Sequence, residues 1–384
     1  MNSLSLDTKA VGFKRRGVQA IMLHVMAALT PGIILYALLI DSRLIVNLIV
    51  ASFFAIAFES LFIYLRKRPV LPALSDGSIV LAAVLLVLCI PQSLPTWQLV
   101  FGVFTLCVLG KHIFGGLGHN PFNPAMVAYA VLIVSFPLTM TQWSSEQGFL
   151  DQAKTLPQNA STAVAIDYDG ISSATPLDRL ATIKRLEKPS TISESSNNGE
   201  AGTSNTQPAQ ENSVADSTNA ASAIDSAASV NSTELIMQSD WFWLSVCWLI
   251  GGFYLLLLRI VSWHIPITML GTIWLIYAVY GGLSSAHTLN PTTALFSGAI
   301  MLGAFFIATD PVSGATSRYG RIVYAFGIGV FTFFIREFSD YPEGVAFAVL
   351  LMNTCVPLID HAFTRKQPQA FQPGPAPENN ERSP

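Results

Sequence analysis

The sequence predicts an all-α polytopic membrane protein of about ten transmembrane helices, built as two inverted five-helix repeats. Three observations predict it. Hydrophobic residues make up 51% of the 384 and charged residues only 12%, about half the roughly 25% of a soluble chain. The apolar residues gather into charge-free runs such as "SIVLAAVLLVLCI", "MVAYAVLIVSF" and "WFWLSVCWLIGGFYLLLL", and a bilayer core of about 30 Å takes roughly 20 apolar residues per helix. Short stretches also recur at a nearly constant offset. "PAMVAYAVL" from Pro124 is answered by "PEGVAFAVL" from Pro342, and the run ending near Pro91 by the run ending near Pro311, offsets of 218 and 220. Such self-similarity marks a duplicated unit. An odd number of spans per unit turns the second upside down, an arrangement that places binding sites and pathways near the midplane beside broken helices.

Residues 1–17 form a cytoplasmic N-terminus in which Lys14, Arg15 and Arg16 precede the first apolar run. No small-residue cleavage site follows, so that run reads as a retained helix. The first five-helix half covers 18–141, with spans at 18–40, 44–65, 77–93, 97–114 and 124–141. A long periplasmic segment, 142–240, connects it to the second half, 241–362, with spans at 241–260, 264–283, 290–308, 319–336 and 342–362. Within the connection, 167–186 has a turn followed by Leu177, Leu180 and Ile183 at helical spacing, and reads as an ordered piece. Residues 189–233 are Ser, Asn, Ala and Thr with almost no large apolar side chain; they cannot bury enough surface to offset ordering, and a disordered insertion is expected. The Pro-, Gln- and Asn-rich tail, 363–384, reads likewise as a disordered cytoplasmic end.

Lys and Arg set the orientation. With the N-terminus inside, the inside loops carry Lys14–Arg16, Arg66–Arg68, Lys111, Arg259, Arg318 with Arg321, and Arg365 with Lys366. The short outside loops "PQSLPTW" and "GGLSSAHT" carry none, and "REFSDYPEG" is acidic overall. Both termini are therefore expected in the cytoplasm. The net charge of −3 and the lack of a basic patch argue against nucleic-acid binding. Cys89, Cys107, Cys247 and Cys355 all lie in apolar runs and form no CxxC pair, which speaks for small core residues and against an iron–sulfur or zinc site.

Several polar residues interrupt the apolar runs. Glu59 lies deep in the second, and an intramembrane acid is a functional candidate by default; the alternative is a structural Glu bonded to a neighbouring helix. Lys111 ends the fourth span and is expected to snorkel to the interface. His112 and His119 are not spaced as metal ligands. Asn120, Asn123 and Pro124 stand at a helix start beside Gly-rich backbone, where a cofactor pocket, an ion path or a packing hinge all fit. Asp76 precedes "GSIVLAAV" and can cap that helix.

Two stretches share one pattern. "DGISSATPLD" from Asp169 and "DPVSGATSR" from Asp310 both read Asp-x-x-Ser-small-Ala-Thr. The first resembles the flavinylation motif, in which a flavin transferase attaches FMN through its phosphate to the threonine oxygen. The resemblance maps onto Asp169, Ser172, Ser173, Ala174 and Thr175. Asp310, Ser313, Gly314, Ala315 and Thr316 match equally well by letter, so sidedness decides. The transferase of such systems works outside the inner membrane, where the positive-inside reading puts Thr175. Thr316 falls inside, next to Arg318 and Arg321, and reads as a cytoplasmic turn.

The resemblance extends along most of the chain. "GKHIFGGLGHNPFNPAMVAYAVLIVSFP", "DGISSATPLD", "RIVSWHIP", "GAIMLGAFFIATDPV" and "YPEGVAFAVLLMNTCVPLID" look, in that order, like the RnfD component of the Rnf electron-transport complex, a relative of the NqrB component of the sodium-pumping NADH:quinone reductase. The short N-terminal segment favours the Rnf line. The insertion at 189–233 and "SGATS" at 313–317 depart from the family pattern. The resemblance implies a bacterial inner-membrane component of an ion-translocating oxidoreductase that couples electron transfer on the ferredoxin/NAD side to ion transport. It implies covalent FMN on Thr175 and a second, non-covalent flavin (riboflavin or FMN). It also implies the remaining Rnf components (A, B, C, E and G) as partners, with a flavin transferase for maturation. The rival readings are an NqrB-like component of a quinone reductase, a urea-channel-like pore without redox work, and an assembly scaffold.

Overall fold

The computed structural model describes residues 17–115, 119–143, 239–283, 289–339 and 343–363, with the side chains of residues 72 and 73 excepted. Among the described residues every regular element is a helix and none is a strand. In chain order the first part holds α1 (Val18–Leu39), α2 (Arg43–Leu65), the short α3 (Val70–Leu74), α4 (Ser78–Cys89) and α5 (Thr96–Cys107). A π-helical turn, Val108–His112, extends α5, and α6 (Pro124–Ser135) and α7 (Pro137–Met140) follow. The second part holds α8 (Asp240–Leu257), α9 (His264–Leu283), α10 (Pro291–Phe296) and α11 (Ile300–Leu302). A second π-helical turn, Gly303–Ile307, extends α11 before α12 (Arg318–Phe338) and α13 (Val345–Phe363).

Five helices, α1, α2, α8, α9 and α13, are long and apolar enough to cross a membrane. They are apolar nearly all round, as a lipid-facing helix must be: Ile49 and Phe53 on α2, and Trp274 and Leu275 on α9, remain exposed. The other expected spans are shorter or broken. α4 and α5 have 12 residues each. The fifth breaks between Ser135 and Pro137, and the eighth is cut at Ser297–Gly298. α12 is long enough at 21 residues, but Arg318, Arg321, Arg336 and Glu337 lower its hydropathy.

The helix starts follow from their sequences. Asn123 precedes Pro124, and its side chain accepts from the N–H groups of Ala125 and Met126 at 3.0 and 3.3 Å. Asn290 before Pro291 does the same for Thr292 at 3.1 Å. Both pair a side-chain cap with a proline whose missing N–H is no loss at the first helical position. Asp76 accepts from the Ser78 N–H at 2.9 Å, the expected capping role.

α4 and the broken α11 segment are the interior elements. Leu86 and Val87 of α4 and Ala304 beyond α11 are fully buried. Around them α1 packs on α8, α2 on α4 and α5, α9 on α12, and α12 on α13, while α6 and α13 join the two parts. α1 and α8 cross closely at Gly251, where any Cβ would overlap the Ala28 carbonyl oxygen.

Candidate functional site

Two cavities lie at opposite ends of α4. One, of about 110 Å³, takes Leu88 and Cys89 from the helix's C-terminal end and Trp143, Trp241 and Trp248 from around it. The other, of about 150 Å³, takes Ser78 and Leu81 from its N-terminal end together with Asn120, Asn123 and Asp310. α1 and α8 also run from one cavity to the other: Tyr36 and Leu244 line the first, Ile21 and Leu255 the second. These are the tryptophan end and the asparagine end of the molecule.

At the tryptophan end the wall is aromatic with a polar rim. Tyr36 and Trp241 meet edge-on with ring centroids 5.8 Å apart, and Trp143 and Trp241 at 5.9 Å, the T-shaped geometry that ring quadrupoles favour. The rim is Ser297, Gly298, Ala299 and Glu343. Glu343 Oε2 accepts from the Ala299 N–H at 2.9 Å, and Arg336 Nη2 donates to both carboxylate oxygens at 2.8 and 3.0 Å. The Arg336 side chain is only 2% exposed and Glu343 24%. Arg336 also donates to Ser297 Oγ at 3.2 Å and to the Ser297 carbonyl at 3.1 Å. Gly298 has φ +63°, and a Cβ there would overlap the Glu343 carboxylate. Sequence reasoning misses this pair, because "REFSDYPEG" reads only as an acidic outside loop. A lone Arg closing an apolar helix seven residues before a Glu is the signal that could have found it.

At the asparagine end, Asn123 Nδ2 donates to the Ile307 carbonyl at 3.3 Å. Asn353, buried on α13, turns its amide oxygen to the Asn123 N–H at 3.1 Å and its nitrogen to Tyr324 and the Ser313 carbonyl. Asn120 Oδ1 is buried without a partner. A buried, unsatisfied acceptor is costly unless a ligand or water completes it.

A third group of buried polar residues lies beside that end. Glu59 is 2% exposed. It accepts from Lys111 Nζ at 2.7 Å through Oε1, and its Oε2 lies 2.9 Å from His112 Nε2. Lys111 also donates to Ser78 Oγ at 3.1 Å, the Phe62 ring stacks on His112 with centroids 5.1 Å apart, and Arg66 donates to the His112 carbonyl. The expectation that Lys111 snorkels is therefore corrected: it is 5% exposed and points into the protein. The π-helical turn explains the difference. It inserts a residue into the helical repeat and brings adjacent residues 111 and 112 onto one carboxylate, which successive residues of a regular α-helix do not share.

Asp169, Ser172, Ser173, Ala174 and Thr175, the expected flavin-bearing stretch, lie outside the described residues. So do 167–186 and 189–233. The described chain leaves at Trp143 and returns at Ser239, and both residues line the tryptophan-end cavity. The rival, Thr316, is placed. It is exposed, its hydroxyl donates to Asp360 Oδ2 at 2.9 Å, and its N–H donates to the same carboxylate at 3.1 Å. Asp310 accepts from Ser313 Oγ at 2.8 Å and from the Val312 N–H at 3.2 Å. "DPVSGATS" is thus a bonded turn that caps α12 through Ser317.

These features define a polytopic helical membrane protein with broken interior helices and a polar-rimmed cavity at each end. The chain belongs to the NQR2, RnfD, RnfE family, whose model matches residues 8–369. Among its relatives is the D component of the ion-translocating oxidoreductase complex of Sodalis glossinidius, 36% identical over 370 residues, with 93% of this chain and 95% of the relative covered. Those of Erwinia tasmaniensis (38% identical, 90% and 93% covered) and Pseudomonas aeruginosa (39%, 90% and 90%) carry the same description. The family expected from the sequence is borne out.

Proposed function

We propose that this chain is the multi-pass D component of an ion-translocating oxidoreductase complex in a bacterial inner membrane, carrying electrons on FMN esterified through its phosphate to Thr175. The observation that carries the reading is the identity of 36–39% with proteins of that description over 90% or more of the chain. Covalent flavin follows from "DGISSAT", with Asp169, Ser172, Ser173 and Ala174 presenting Thr175 to a flavin transferase. The engagement of Thr316 with Asp360 supports Thr175 over its rival.

The tryptophan-end cavity fits the group. Tyr36, Trp143 and Trp241 offer aromatic faces, Ser297 and Glu343 a polar edge, and the segment bearing Thr175 starts and ends at the cavity rim. When bound there, the flavin supplies one- and two-electron redox chemistry. The protein supplies orientation, shelter from water and a fixed charge environment. A second, non-covalent flavin fits the asparagine end, where the unpartnered Asn120 Oδ1 matches a ring N–H donor. The other components of the complex are the partners, with both termini in the cytoplasm and the Thr175 segment in the periplasm.

Ten spans in two inverted halves complete the proposal. Both parts open with two long helices, follow them with a short helix of five or six residues, and then enter an interior segment, α4 in the first and α11 with its π-helical turn in the second. Gly77 and Gly298, each at positive φ before an interior helix, are 221 residues apart. Asn123 and Glu343, 220 apart, bond to opposite ends of the broken α11 segment, at the Ile307 carbonyl and the Ala299 N–H.

The test is in-gel ultraviolet fluorescence of the denatured protein, co-expressed with its flavin transferase, beside Thr175→Val and Thr316→Val. Fluorescence is expected in the parent and in Thr316→Val, and lost in Thr175→Val. A dark parent would return the chain to the pore or scaffold readings.

A further inference from the structure

The Arg336–Glu343 pair stands at the rim of the tryptophan-end cavity, where it ties the end of α12 to the Ser297–Ala299 break. The guanidinium makes contacts with Ala294, Ser297 and Glu343, while its Nε is buried with no partner. The carboxylate is the partly open member, 24% exposed, and lines the cavity. Gly298 is the residue that makes room for it, since a Cβ there would overlap Glu343 Oε2. Taking two charges out of water costs more than their attraction returns unless the geometry is good, and apolar residues of similar size would close the same rim. Because Glu343 lines the cavity, its charge also faces whatever enters there.

We propose that Glu343, oriented by Arg336, is a positioning residue that holds the charge environment of the tryptophan-end cavity neutral and thereby sets the reduction potential of the flavin seated there. This rests on the reading of Thr175 as the flavin-bearing residue. The physical ground is the sign of the charge. Reduction adds negative charge to a flavin, so an uncompensated cation at the rim favours the reduced form and an uncompensated carboxylate disfavours it. In a low-dielectric site that influence is far stronger than in water.

The experiment is a redox titration of the full chain, purified in detergent with its covalent flavin and read by flavin absorbance. The Thr175→Val protein serves as the blank that subtracts any non-covalent flavin. Glu343→Gln removes the carboxylate bonded to the guanidinium, and the midpoint potential is expected to shift upward. Arg336→Gln leaves the carboxylate alone, and a shift downward is expected. The double variant removes both charges and is expected close to the parent, while Arg336→Lys keeps the charge and the parent potential. Should Arg336→Gln fail to fold, Glu343→Gln and the double variant still carry the comparison. Unchanged potentials in fluorescent variants, or shifts of one sign in both single variants, overturn this inference and leave the flavin reading standing. A parent without in-gel fluorescence overturns both.

Discussion

Lys111 and Glu59 meet at 2.7 Å with both side chains nearly dry, and the pair decides what a single substitution there does. Removing one partner of a buried pair strands the other, at a cost of about 3–5 kcal/mol, whereas replacing both with apolar groups is often neutral. Glu59→Leu is therefore expected to lower the melting temperature of the detergent-solubilised protein sharply, and Glu59→Leu with Lys111→Met to recover most of it. If the double variant melts as low as the single, the pair is not the source of the loss. Thr316→Val loses one exposed hydroxyl bond, about 1 kcal/mol, and should lower the melting temperature far less than Glu59→Leu in the same melt. Glu59 is conspicuous in the sequence, because an acid in an apolar run stands out. Lys111 is not legible there, because its partner is 52 residues away and the meeting depends on a π-helical turn. Helix periodicity carries no mark of such an insertion.

Among the elements, the breaks matter more than the long spans. Gly77 and Gly298 both have positive φ, a conformation that costs an L-residue about 1–2 kcal/mol. Their surroundings differ: a Cβ at Gly77 meets only Met22 Cβ at 3.9 Å, whereas one at Gly298 overlaps the Glu343 carboxylate. Gly298→Ala is thus expected to destabilise distinctly more than Gly77→Ala, measured by thermal unfolding of the two proteins side by side. Equal losses would mean that the Glu343 contact adds nothing. The five long helices are legible because an apolar run of that length has few other uses. The cut at Ser297–Gly298 is not, because Ser and Gly also occur inside unbroken spans and the apolar run continues past them. The starts of α6 and α10 are written plainly as Asn-Pro.

For the whole molecule, the distribution of Lys and Arg makes a direct prediction. A cysteine placed at Glu200 should react with a membrane-impermeant thiol reagent in intact cells, and one at Lys366 only after the membrane is opened, each compared with the parent bearing its four native cysteines. Labelling of both in intact cells would overturn the orientation. Family and element order are legible from motifs that run in sequence through both parts. The lining of the tryptophan-end cavity is not, because it gathers Tyr36, Trp143, Trp241 and Glu343 from four separate stretches. The short interior helix also bears on how a membrane voltage would be distributed. α4 has 12 residues, about 18 Å of helix, against an insulating layer of about 30 Å. The polar rims at its two ends are thus closer together than the layer is thick, and where both lie within it the membrane voltage falls over this shorter waist. A charge passing from one cavity to the other crosses most of that drop, and each 100 mV then does about 2.3 kcal/mol of work on it.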